Sequence, residues 1–219
     1  MVAAAETYIG KGLYSVPDAA RILGVHHNKV RRWLLPDGGV VHRTFDPADR
    51  IVSFLELMEL HFIKMFRDQG VSLQAIRRAA STAAKRFHTD YPFAVKRFDT
   101  DGRTIFATLR REDDGKEMVE DLRKGQYVFT KILRPFFRKL DYGTADISRF
   151  WPLSKRGRIV IDPQRHFGRP LDHDTGVPTS ALYQAVKAGR GQSVRTVADW
   201  FGVPEAAVRA AVKFEQSLA

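Results

Sequence analysis

The sequence predicts an α+β chain with a helical head, a mixed middle that carries a small antiparallel sheet, and a helical tail. Three observations lead there. Residues 14–33, YSVPDAARILGVHHNKVRRW, place apolar side chains at helical spacing and break at Gly24 and Val25. From Phe93 the apolar period falls to two, as in half-buried strands. Near the end helical spacing returns: Val194, Ala198, Gly202 and Val208 repeat the spacing of Val16, Ala20, Gly24 and Val30.

In the head, Pro17 and Asp18 open the first helix, where a missing N–H and a negative charge are both favoured. Ala19, Ala20, Ile22 and Leu23 face inward and Gly24 stops the helix. The second helix turns Val30, Trp33 and Leu34 inward, leaving His26, His27, Asn28, Lys29, Arg31 and Arg32 outside. That face offers amide, imidazole and guanidinium donors with almost no negative charge, which is what base edges and phosphates require. A basic face on two packed helices is equally compatible with simple solvation. Residues 40–45, VVHRTF, shift the balance by reading as a short strand that ends at Asp46-Pro47, a wing carrying Arg43.

Ser53 and Glu56 make a capping-box pattern before a helix whose apolar residues cover more than one face, so it is expected to be buried on two sides. Gly70 ends it, Ser72 caps the next helix, and Leu73, Ile76, Ala79, Ala80, Ala83 and Phe87 form a stripe suited to close packing. In the middle, FAVKRF and RTIFATL flank Asp101-Gly102 and read as a hairpin. A charged helix over 116–124 is expected to end at Gly125, and an apolar one over 127–140 to be kinked or restarted by Pro135. RFWPL and RIVID then read as a second hairpin across 154–157, completing one sheet. Phe150 and Trp151 suit a core or an interface better than a base-stacking platform. The tail's second helix pair presents Glu205, Ala206, Arg209 and Ala210, few of them base-reading donors, so packing or oligomerisation is its expected use. The resulting division is a winged-helix DNA-binding unit over 1–90, a mixed unit over 91–157 and a helical unit over 158–219.

The head's marks (Tyr14, Ala20, Gly24-Val25, Val30-Arg31-Arg32-Trp33, Arg43 and Phe45) resemble the winged helix of MerR-type regulators. FRDQGVSLQAIRRA is similar to the helix pair that follows the wing there. No heptad repeat follows, unlike the dimerising coiled coil usual in that family. The last unit resembles a small domain family of uncharacterised function found in VapB-type antitoxins. The residues that carry this are Ile161-Asp162-Pro163, Gly168-Arg169-Pro170, Thr175, Val177-Pro178 and the helix over 208–214. Gly176 and Val177 stand where that motif has an Arg and an Ile, so no role passes to that Arg. A winged head joined to this tail is similar to one group of mycobacterial VapB antitoxins.

The resemblance implies a protein that binds and neutralises a VapC-type PIN-domain ribonuclease toxin and represses its own operon by binding operator DNA. It implies His26, His27, Asn28, Lys29, Arg31, Arg32 and Arg43 at the DNA. A basic surface formed by Arg156, Arg158, Arg165 and Arg169 would face the toxin's carboxylate-lined, metal-dependent site. A homodimer is expected, because palindromic half-sites need paired heads. No cofactor, metal or catalytic residue is expected, and no membrane partner.

Composition agrees with a polyanionic partner: 36 Lys and Arg against 25 Asp and Glu give a net charge of +11. With no cysteine there is no disulfide, thiolate metal site or cysteine nucleophile. The opening MVAAAETYIGKG lacks the basic end and long apolar run of a secretory signal, so the cytoplasm is the expected compartment. Two rival readings come from the same residues. One is a stand-alone winged-helix regulator whose middle sheet senses a small molecule or pairs subunits. The other is a metal-dependent hydrolase using Asp162, Asp172, His173 and Asp174. Successive residues cannot all face one ion, however, and loop capping explains such carboxylates. His26 and His27 point about 100° apart on a helix and so do not share an ion.

Overall fold

The computed structural model describes residues 8–35, 39–112, 116–188 and 193–218. Strand β1 (Tyr14–Ser15) leads directly into α1 (Val16–Leu23). The Ser15 hydroxyl accepts the Asp18 N–H at 3.2 Å, and Gly24, left-handed at φ 64°, closes the helix by donating to the Ala20 and Arg21 carbonyls. Helix α2 (His27–Trp33) starts at a His26 cap, whose Nδ1 accepts the Asn28 N–H at 3.2 Å. Val30 and Trp33 are buried beneath it.

Residues 40–45 do not form the expected wing strand. Instead β1 pairs antiparallel with β2 (Ile51–Val52), Tyr14 opposite Val52 and Ser15 opposite Ile51. The intervening segment finds its partners in side chains rather than in a ladder. The Thr44 N–H donates to Glu56 Oε1 at 3.0 Å, and the Thr44 hydroxyl lies 2.7 Å from that of Ser53 and 2.6 Å from that of Tyr91.

Helix α3 (Phe54–Asp68) carries the full capping box between Ser53 and Glu56 and is buried on more than one side, as its residues predict. Helix α4 (Leu73–Phe87) follows from a Ser72 cap and buries Ala75, Ile76, Ala79, Ala80, Ala83 and Phe87. The expected hairpin around Asp101-Gly102 is absent, because one helix, α5 (Lys96–Glu112), runs through it. Phe98, Ile105, Phe106 and Leu109 bury a helical stripe there. Gly102 is a packing position and not a turn: a Cβ on it would lie 2.4 Å from the Phe129 ring.

Gly125 has the same use, so it does not end the next helix. It sits inside α6 (Lys116–Val128), where a Cβ would fall 2.5 Å from the Phe106 ring. The helix continues through a π-helical turn, Phe129–Leu133, into α7 (Arg134–Phe137). Pro135 thus stands at the start of a new helical segment, where its missing N–H is tolerated.

The expected single sheet is also corrected. β3 (Leu140–Tyr142) pairs with β4 (Ile147–Phe150), and β5 (Ile159–Val160) pairs with β6 (Leu171–Asp172), each antiparallel. RFWPL and RIVID form no ladder, and their backbones pair through one isolated bridge between Phe150 and Ile161. One continuous core runs from Tyr14 to Ile161 and centres on tilted and edge-on phenylalanines, among them Phe62, Phe66, Phe93, Phe98, Phe106, Phe129 and Phe136.

The tail has its own core of Leu182, Val197, Ala198, Val203, Ala207, Val208 and Ala211. It is built from α8 (Thr179–Ala188), α9 (Val194–Phe201) and α10 (Glu205–Ser217). The α9–α10 pair repeats α1–α2 in detail. Ser193 caps it as Ser15 does, Gly202 takes φ 63°, and Val203 donates to the Ala198 carbonyl at 3.0 Å as Val25 does to that of Ala20.

Candidate nucleic-acid interface

The α1–turn–α2 unit fixes its outer face through its inner one. Because Val30 and Trp33 are buried, the helical period leaves Asn28, Lys29, Arg31 and Arg32 exposed on α2. No ion pair among the described residues involves Lys29, Arg31 or Arg32. His26 is exposed and partly committed to its capping bond, with its ring centroid 4.2 Å from that of His27. The face therefore presents three cations, an amide and an imidazole.

Arg43 stands apart from this group. Its side chain is 13% exposed, its Nη2 donates to the Ile51 carbonyl at 2.6 Å, and its Nε lies 3.1 Å from a carboxylate oxygen of the fully buried Glu56. It neutralises that carboxylate and braces β2, so the structure does not bring it to the presented face. Arg50 was not singled out from sequence. It is exposed in a left-handed backbone conformation (φ 52°) just before β2, whose Ile51 pairs with the Ser15 cap of α1. No sequence signal marks it, since an arginine in that conformation is not favoured.

The tail is tied to the head at β1 and α1. Tyr14 donates its hydroxyl to the Gly168 carbonyl at 2.8 Å, and the Leu13 N–H reaches the Phe167 carbonyl at 2.9 Å. Gly168, at φ 81°, must be glycine, because a Cβ would lie 2.2 Å from the Tyr14 oxygen. Arg21 on α1 pairs with Glu215 on α10 at 2.8 Å, and Glu215 also accepts the Thr179 hydroxyl.

The four arginines considered for the toxin divide into two kinds. Arg156 and Arg169 are exposed. Arg158 makes a two-pronged bond to buried Asp172, at 2.6 and 3.0 Å, and also reaches Asp174 at 3.0 Å. Arg165 donates to the His173 carbonyl at 3.0 Å. Burial pushes the Asp172 carboxyl up, but Arg158 and Thr175 outweigh that and hold it below the usual carboxylate range. Asp162 is likewise engaged, by Arg149 at 2.9 Å and by the Gln164 N–H. The carboxylates of the hydrolase alternative are thus committed to arginines and backbone, and among the described residues no group of three or more His, Asp or Glu could hold a metal ion.

No protein-family model matches the chain. A Mycobacterium tuberculosis protein named "Putative antitoxin VapB45" is 26% identical over an alignment of 162 residues that covers 69% of this chain. The similarity is thus to a protein named as an antitoxin of the VapB type. The match spans 66% of that relative's length, just under two thirds. The crystal structure of Rv2018 from Mycobacterium tuberculosis shares the fold, with a TM-score of 0.75 and 19% identity over 91% of this chain and 96% of that one. Among the described residues no helix is long and apolar enough to cross a membrane.

Proposed function

We propose that this chain is an antitoxin that neutralises a VapC-type PIN-domain ribonuclease and represses its own operon by binding operator DNA. The observation that carries the DNA half is the exposed face of α2, where Asn28, Lys29, Arg31 and Arg32 are held outward by a buried Trp33 and spend no charge internally. Relatedness to VapB45 supports the toxin half. On this reading His26, His27 and Asn28 lie at base edges, while Lys29, Arg31 and Arg32 supply phosphate affinity and register. Arg156 and Arg169 are free to meet a carboxylate-lined toxin site, and Arg158 and Arg165 shape the loop that presents them. The units over 1–90, 91–157 and 158–219 then divide the labour of DNA reading, support and toxin holding, with one core shared by the first two. The protein acts as a homodimer in the cytoplasm, without a cofactor or catalysis of its own.

Fluorescence anisotropy on the DNA upstream of the gene tests the DNA half. Arg31→Ala with Arg32→Ala is expected to weaken binding strongly and to lower the slope of log affinity against log salt by about 2. Unchanged affinity and slope would remove α2 from the interface.

A further inference from the structure

The duplication of the helix-turn-helix allows the two copies to be compared position by position, and they differ in what covers one face. In α1 both residues are engaged: Arg21, though exposed, pairs with Glu215 of α10, and the half-buried Ile22 packs against the main core. The matching residues of α9 are Asp199 and Trp200. Trp200 is 61% exposed and Asp199 is exposed without an ion-pair partner among the described residues. One turn before Asp199, on the same side, lies Arg195, also exposed and without such a partner. Val197 and Ala198 are buried, so the Arg195–Asp199–Trp200 side is the outward face of this helix.

The geometry points to this face as the surface on which two copies of the chain meet. A two-fold axis crossing the middle of α9 would run the two helices antiparallel. Arg195 of one copy then stands opposite Asp199 of the other, and Asp199 opposite Arg195, so both charges are matched by one self-complementary contact. Trp200 lies beside the aliphatic stem of the opposing Arg195 and supplies the apolar area, with its ring available for the guanidinium. No other partner need match a cation and an anion in this order, whereas a second copy does so by symmetry. A helix of eight residues buries less than a standard interface, so the association is weak in free solution and is strengthened when two heads engage adjoining half-sites. This inference deepens the paired-subunit reading above and rests on it.

The test is sedimentation velocity of the full chain over a wide concentration range, with tryptophan emission followed in parallel. Trp33 and Trp151 are buried at 4% and 8% exposure, so a concentration-dependent blue shift reports Trp200. The wild-type chain is expected to dimerise with that shift. Trp200→Ala and Asp199→Arg are each expected to raise the dissociation constant about tenfold or more. Combining Arg195→Asp with Asp199→Arg is expected to restore dimerisation. A dimer that persists unchanged in every variant would overturn this surface while leaving paired subunits standing. A chain that stays monomeric with and without operator DNA would overturn both.

Discussion

Glu59 gives the sharpest test of how the head is joined to the middle. Its carboxylate is fully buried with no cation beside it, and one oxygen accepts the Phe93 and Ala94 N–H groups at 2.7 and 2.8 Å. Burial pushes the carboxyl up to about 8, against the opposing pull of those two N–H groups. Below pH 4.5 the folded and unfolded chains both hold the proton. Between there and about 8 the unfolded chain ionises while the folded one does not, so folding loses free energy as pH rises. At about 1.4 kcal/mol per pH unit, the loss across the window is on the order of 5 kcal/mol. Glu59→Gln keeps an oxygen for both N–H groups and removes the titration. Urea unfolding of both proteins across this pH range is expected to show the variant gaining on the wild type as pH rises, with the gap levelling off above about 8. Parallel pH profiles, or a gap that moves the other way as pH rises, would contradict a buried, protonated Glu59.

Further expectations follow from packing and charge. Gly125→Ala should destabilise by about 1 to 3 kcal/mol through overpacking against Phe106, although alanine favours helix, and thermal unfolding would show it. A gain in stability would place Phe106 elsewhere. Trp33→Ala should cost on the order of 3 to 5 kcal/mol by opening a cavity under α2, read by chemical denaturation; no loss would mean an exposed ring. Arg158→Ala leaves Asp172 buried with only the Thr175 hydrogen bonds to hold its charge, so the tail should lose stability at neutral pH and lose less as acid protonates that carboxylate, measured by unfolding at neutral and acid pH.

The helices with strong local signals were legible in the sequence. The Ser53 and Ser72 caps, Gly24, and the tail's repeat of the head all appear where their residues indicate. What misled was glycine. Gly102 beside an aspartate reads as a hairpin turn, and Gly125 after a charged run reads as a stop, yet both are sites where a phenylalanine ring from another helix needs the room. Sequence cannot separate these uses, because the ring that fills the space comes from residues more than 15 positions away. The wing failed for a related reason. Residues 40–45 alternate like a strand, but Glu56 and Tyr91 satisfy Thr44 and leave no ladder to form. The outward residues of α2 follow from buried Val30 and Trp33, so most of the candidate face was readable. Arg43 was not, since its partner Glu56 was legible only as a capping residue.

The most direct test of the central claim is co-expression of this chain with the protein encoded by the neighbouring reading frame, followed by a ribonuclease assay on the complex and on the released partner. The expected result is a stable complex whose partner cuts RNA only after release, and whose inhibition weakens when Arg156 and Arg169 are replaced by alanine. A chain that forms no complex yet shifts its own promoter DNA would contradict the antitoxin role and leave a stand-alone regulator.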